Sequence, residues 1–139
     1  MISIIVGSKG NGKTKKLITM VDEAVKTSLG NIVVIEKKPN LGTNITTKAR
    51  LVNTDEYDIK SVNGFYGFLA GVCAGNYDVT HIFVDATLRI IGRDFNDLVM
   101  FLKRVDGLSK ESNADFIFTI SEDKENLPAE IFEICKLVD

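Results

Sequence analysis

Eight consecutive residues, Gly7-Ser8-Lys9-Gly10-Asn11-Gly12-Lys13-Thr14, carry the strongest chemical signal in the chain. They satisfy the pattern G-x-x-x-x-G-K-[ST] in full. Glycines at such spacing let successive backbone N–H groups curl around a phosphate with no Cβ in the way. A helix starting near Lys13 would aim the positive end of its dipole at the same anion. Lys13 would then reach the β- and γ-phosphate oxygens, and the Thr14 hydroxyl would ligate Mg²⁺. The spacing thus predicts a seat for a nucleoside triphosphate, provided a strand precedes the loop and a helix follows it.

The hydrophobic pattern supplies both. Residues 2–6 form a short β-branched run that ends at Gly7, as a strand buried on both faces would. Leu17, Ile18, Val21, Ala24 and Val25 recur at helical spacing over 13–28, and Gly30 closes that segment like a C-cap. Buried strands are predicted at 32–35, 81–85 and 114–120, with an amphipathic helix over 94–108. Residues 40–60 are polar and predict a loop carrying an edge strand or hairpin near Ala49–Val52. Leu127-Pro128 opens a short final helix, and 135–138 suits a last strand. A helix is predicted over 61–75, with Gly64, Gly67, Gly71 and Gly75 on one side. That glycine side suits close approach to the sheet or to another chain, with a glycine-rich loop as the weaker alternative. Strands alternating with helices predict one α/β domain over 1–139, a three-layer αβα sandwich around a mostly parallel sheet.

The loop resembles the Walker A motif of P-loop NTPases, and the alternating pattern is similar to that superfamily along the whole chain. His81-Ile-Phe-Val-Asp85 then resembles a Walker B strand, an apolar run ending in an acid. The resemblance implies that Asp85 and Thr14 hold the metal from opposite sides. GTPases are disfavoured, because Asp85 is followed by Ala86-Thr87-Leu88 and no N-K-x-D base reader occurs. The chain is more similar to the RecA-like ATPases. A strand at 32–35 intervenes before the acid, and the strand at 114–120 runs into Thr119-Ile120-Ser121, where Thr119 or Ser121 would be the polar sensor. Many of these ATPases carry a glutamate directly after the Walker B acid, but Ala86 stands there. The resemblance then implies Glu36, at the end of the second strand, as the base that activates water, with Lys13 as the other catalytic group. The rival role for Glu36 is an ion pair with Lys37, Lys38 or another neighbour. Without it the chain would bind nucleotide with slow or absent hydrolysis; the alternative functions are a nucleotide-responsive binding module without turnover and a small phosphotransferase.

Arg89, Arg93 and Arg104 are candidates for stabilising transferred phosphate, in this chain or across a homo-oligomer or partner interface. His81, at a strand start, reads as structural. A thymidine-kinase-like enzyme would need a cysteine-held zinc, and Cys73 and Cys135 stand alone. Small nucleotide kinases need an arginine-rich lid, for which no insertion provides.

Composition narrows the classes further. Hydrophobic residues make up 45% of 139, with two prolines, which argues against a disordered or fibrous chain. Two cysteines make no disulfide framework, and the longest apolar stretch is about half a membrane span. The opening Met1-Ile-Ser-Ile-Ile-Val shows no basic leader, so a reduced, cytoplasmic domain without a membrane span is the expectation. Residues 1–50 hold nine Lys and Arg against three Asp and Glu; residues 51–139 hold eight against sixteen. Lys9, Lys15, Lys16, Lys37 and Lys38 belong to the basic half, which faces a polyanion in this reading. A nucleotide accounts for them without nucleic acid. ATP and Mg²⁺ are the ligands the resemblance implies.

Overall fold

The computed structural model describes residues 1–139. Six strands form one sheet: β1 (Ile2–Gly7), β2 (Asn31–Glu36), β3 (Arg50–Asn53), β4 (Val79–Val84), β5 (Asp115–Ser121) and β6 (Lys136–Leu137). Their order is β3-β2-β4-β5-β1-β6, and every ladder is parallel. Helices α1 (Lys13–Thr27), α2 (Val62–Gly75), α3 (Thr87–Ile91), α4 (Phe95–Ser112) and α5 (Ala129–Ile134) make the crossovers, apart from the β2–β3 link. That link, residues 37–49, holds only a 3₁₀ turn at Gly42–Asn44.

Alternation along each strand divides the apolar residues between two cores. Ile4, Val33, Ile82, Phe116 and Phe118 point towards α2 and α4 and join a cluster of 26 buried residues. Ile5, Val34, Phe83 and Ile117 point the other way, into a cluster of 11 with Leu17, Val21 and Ala24 of α1. Because both faces are covered, the strands read as continuous apolar runs. Aromatic rings knit the larger core: Phe65 stacks on Phe101 at 5.6 Å, and Phe101 meets Phe118 edge-on at 5.7 Å. On the smaller side α1 is the only helix, completed by Leu41, Ile45 and Ala49 from the β2–β3 link.

Several local expectations change. The edge strand near Val52 is parallel to β2, so no hairpin forms. Gly30 does not cap α1; Ser28 does, in an extended conformation. A Cβ on Gly30 would collide with the Asp78 carbonyl and the Thr80 methyl, so glycine there permits the approach of the chain entering β2 to that entering β4. The glycine side of α2 does not approach the sheet: Gly67, Gly71 and Gly75 are exposed, with nothing near where a Cβ would be. The helix over 94–108 starts one residue later and runs to Ser112, with the Asp94 carboxylate accepting from the Asn96 and Asp97 amides at 2.9 and 3.2 Å. No helix of the chain is long and apolar enough to cross a membrane.

Candidate functional site

The ends of β1, β2, β4 and β5 converge at the C-terminal edge of the sheet, where open parallel sheets place their ligand crevices. The loop of Ser8–Gly12 lies there between β1 and α1. Its bends need glycine: φ is +154° at Gly7, +82° at Gly10 and +78° at Gly12. A Cβ on Gly7 would also lie 2.6 Å from the Asn11 amide nitrogen. Gly12 is the N-cap of α1, no side chain caps that end, and no acid sits in its first turn. The first-turn N–H groups and the positive end of the dipole are therefore open to an anion.

Four side chains meet beside this loop: Lys13, Thr14, Asp85 and Thr119. Lys13 is only 7% exposed and donates to the Ser8 carbonyl at 2.8 Å. Burial pushes its pKa below the ordinary lysine value, while Asp85 and Asp123 draw it back up. The Thr14 hydroxyl donates to Asp85, 3.2 and 3.1 Å from the two carboxylate oxygens. Asp85 follows β4, and β5 separates that strand from β1 in the sheet. From β5, the buried Thr119 hydroxyl donates to Asp85 Oδ1 at 2.6 Å and accepts from the Ala86 amide at 2.7 Å. Ala86 adopts a left-handed backbone, φ +53°, and so turns the chain into α3. Thr119 is thus committed to the turn after β4, whereas the Ser121 hydroxyl makes no hydrogen bond and lines the loop cleft.

Glu36 is 4% exposed at the end of β2, the strand beside β4. Both of its carboxylate oxygens accept from the Leu41 amide, at 3.3 Å each. It pairs with neither following lysine: Lys37 binds Asp55 at 2.8 Å, and Lys38 has no ion partner. Burial raises the Glu36 pKa, the Asn40 and Leu41 amides oppose that rise, and the charge of Asp85 adds to it.

Two adjoining clefts result. The first, about 290 Å³, is lined by Lys9–Lys15, Thr119 and Ser121. The second, about 490 Å³, is lined by Glu36–Asn40. Asn40, Asp85, Ala86 and Arg89 line both. Asn40 was not singled out by its position in sequence; the only signal was its place just after Lys38-Pro39 in a polar loop. The three arginines separate here. Arg89 lies at the junction with no hydrogen bond to its guanidinium, Arg93 is held by Glu122 at 2.5 Å, and Arg104 lies over the Tyr66 ring and binds Asn63 at 3.1 Å. Lys16 lines neither cleft. His81, at the start of β4, bonds Thr80 at 2.9 Å and stacks on Phe83, away from the site. A larger cavity, about 910 Å³, lies against β2, β3 and α2; half of its lining is apolar, and none of Ser8–Gly12 reaches it.

The donor set suits a hard divalent cation. One hydroxyl and one carboxylate are what Mg²⁺ takes from a protein when phosphate and water complete its shell. No three His, Cys, Asp or Glu side chains cluster as an all-protein metal cage. No protein-family model matches the sequence, and no curated protein matches it either.

Proposed function

We propose that the chain binds a Mg²⁺-complexed nucleoside triphosphate, ATP by resemblance, as a small P-loop protein of the RecA-like type. One observation carries this reading: Thr14 of the G-x-x-x-x-G-K-[ST] motif lies 3.1 Å from Asp85, although β5 stands between β1 and β4, the strands that precede them. The two groups expected to hold the metal are thus already neighbours. The amides of the glycine loop and Lys13 would seat the phosphates, and Mg²⁺ would neutralise their charge. Strand order supports the RecA-like branch, because β5 lies between the loop strand and the acid-bearing strand and brings Thr119 to Asp85.

Hydrolysis is the activity this site would support, with Glu36 as the water-orienting base. A second reading, nucleotide binding without turnover, is favoured by the engagement of that carboxylate with the Leu41 amide. Equilibrium binding of a fluorescent ATP analogue, with and without Mg²⁺, tests the common part. Wild type should bind, with Mg²⁺-dependent affinity, and Lys13→Ala or Asp85→Ala should lose at least tenfold. Equal, Mg²⁺-independent affinity in all three would overturn the reading. Single-turnover hydrolysis by wild type and Glu36→Gln then separates enzyme from binding module.

A further inference from the structure

The cleft on the Glu36 side is larger than a single attacking water requires. A water occupies about 30 Å³ of liquid, yet the cleft on the Glu36 side measures about 490 Å³, inside the range of small-molecule sites. It opens onto the loop cleft through Asn40, Asp85, Ala86 and Arg89.

Its charges are equally specific. Lys37 is neutralised by Asp55, and the Asp55 amide donates to the Lys37 carbonyl at 3.1 Å, which pins this part of the loop. Lys38 on the pinned loop and Arg89 on α3 both line this cleft, and neither has an ion pair within 4 Å. The carboxylates of the lining, Glu36 and Asp85, are buried and already held by the Leu41 amide and by the Thr14 and Thr119 hydroxyls. Lys38 does not line the loop cleft, where Lys9, Lys13 and Lys15 already provide positive charge. Only one of the eight residues lining the second cleft is hydrophobic, so a ligand there would be polar rather than apolar.

We infer that the cleft beside Glu36 is a second anion subsite, which takes the phosphate or carboxylate group of a small acidic co-substrate between Lys38 and Arg89. This rests on the nucleotide reading of the adjoining loop. It assigns the site a second ligand beside the triphosphate. Charge-assisted hydrogen bonds from two unpaired cations would set its preference for acidic molecules.

The test uses the full chain with Mg²⁺ and a non-hydrolysable ATP analogue at saturation, titrated with inorganic phosphate at constant ionic strength. Backbone amide NMR shifts give the readout. The proposal expects saturable shifts at Lys38, Asn40 and Arg89, weakened at least tenfold in Lys38→Ala/Arg89→Ala and unchanged in Arg93→Ala. Non-saturable shifts, shifts confined to Gly7–Thr14, or wild-type binding by the double variant would overturn it. If the analogue itself does not bind, the nucleotide reading fails, and the titration is repeated on ligand-free Lys13→Ala. Saturable shifts at Lys38 and Arg89 would then sustain the anion subsite, and their absence would end it.

Discussion

The Thr119 hydroxyl donates to Asp85 at 2.6 Å and accepts from the Ala86 amide at 2.7 Å, so one buried oxygen fixes both the candidate metal ligand and the left-handed turn that follows it. Thr119→Val removes both bonds while keeping most of the volume. We expect a loss of about 1–3 kcal/mol in urea unfolding, the cost of leaving buried polar groups unpaired. Mg²⁺ dependence of nucleotide binding should weaken with it, and Thr119→Ser should restore both. Retained stability in Thr119→Val would show that the clamp is not structural.

Gly10 and Gly12 isolate the conformational requirement of the loop. Both have positive φ, and a Cβ at either would meet nothing within 4 Å. Alanine at Gly12 should therefore destabilise by about 1–2 kcal/mol through backbone strain alone. Asparagine tolerates that conformation better and should cost less. Thermal melts of Gly12→Ala and Gly12→Asn check the order, and nucleotide affinity should fall more in the alanine variant.

In the proposed function Lys13 and Glu36 serve the site at a cost to stability. Burial lowers the Lys13 pKa, so below that value the folded protein carries the cost of a desolvated ammonium; stability from this group rises as pH climbs towards its unfolded value. Glu36 has a raised pKa, so its contribution is full below the unfolded value, near 4.5, and is lost as pH rises through the folded value. At pH 7, above the unfolded value of Glu36 and below that of Lys13, both groups therefore cost stability. Lys13→Met and Glu36→Gln should each raise the urea midpoint of the ligand-free protein while impairing, respectively, nucleotide binding and hydrolysis. Glu36→Gln should also flatten the stability profile at mildly acidic pH. A lower midpoint at pH 7 in either variant would contradict the assignment.

The three arginines should separate in binding measurements as they do in space. Arg89→Ala should weaken the binding of inorganic phosphate beside the Mg²⁺-nucleotide about tenfold, as expected when one charge-assisted hydrogen bond to phosphate is lost. Arg93→Ala and Arg104→Ala should stay within about twofold, since exposed ion pairs and cation–π contacts contribute about 1 kcal/mol or less to stability. Equal losses across the three would remove Arg89 from the site.

What could be read from sequence follows physical lines. The strands at 2–6, 32–35 and 114–120 were legible because burial on both faces leaves an unbroken apolar run, and the loop was legible because its glycines have no substitute. The neighbourhood of Thr119 and Asp85 was not, since it depends on β5 taking its place between β1 and β4, and strand order leaves no local trace. The five-residue helix Thr87–Ile91 escaped for a different reason: it is shorter than two helical turns and starts at an uncapped alanine. Glu36 was recognisable as a strand-end carboxylate, but its bond to Leu41 depends on how a polar loop returns over the sheet. Gly30 resembled a helix stop because the chain segment it must clear lies almost fifty residues further along.

The unequal covering of the sheet couples the site to one half of the molecule. Below the loop, Leu17, Val21 and Ala24 of α1 hold the smaller core, and no other helix shares that face. Whatever anion settles on the first turn of α1 therefore steadies the helix on which those eleven residues depend, while the 26 beneath α2 and α4 rest on separate supports. In the proposed function, occupancy of a surface loop would in this way be written into the cohesion of a hydrophobic interior, and on one side of the sheet only.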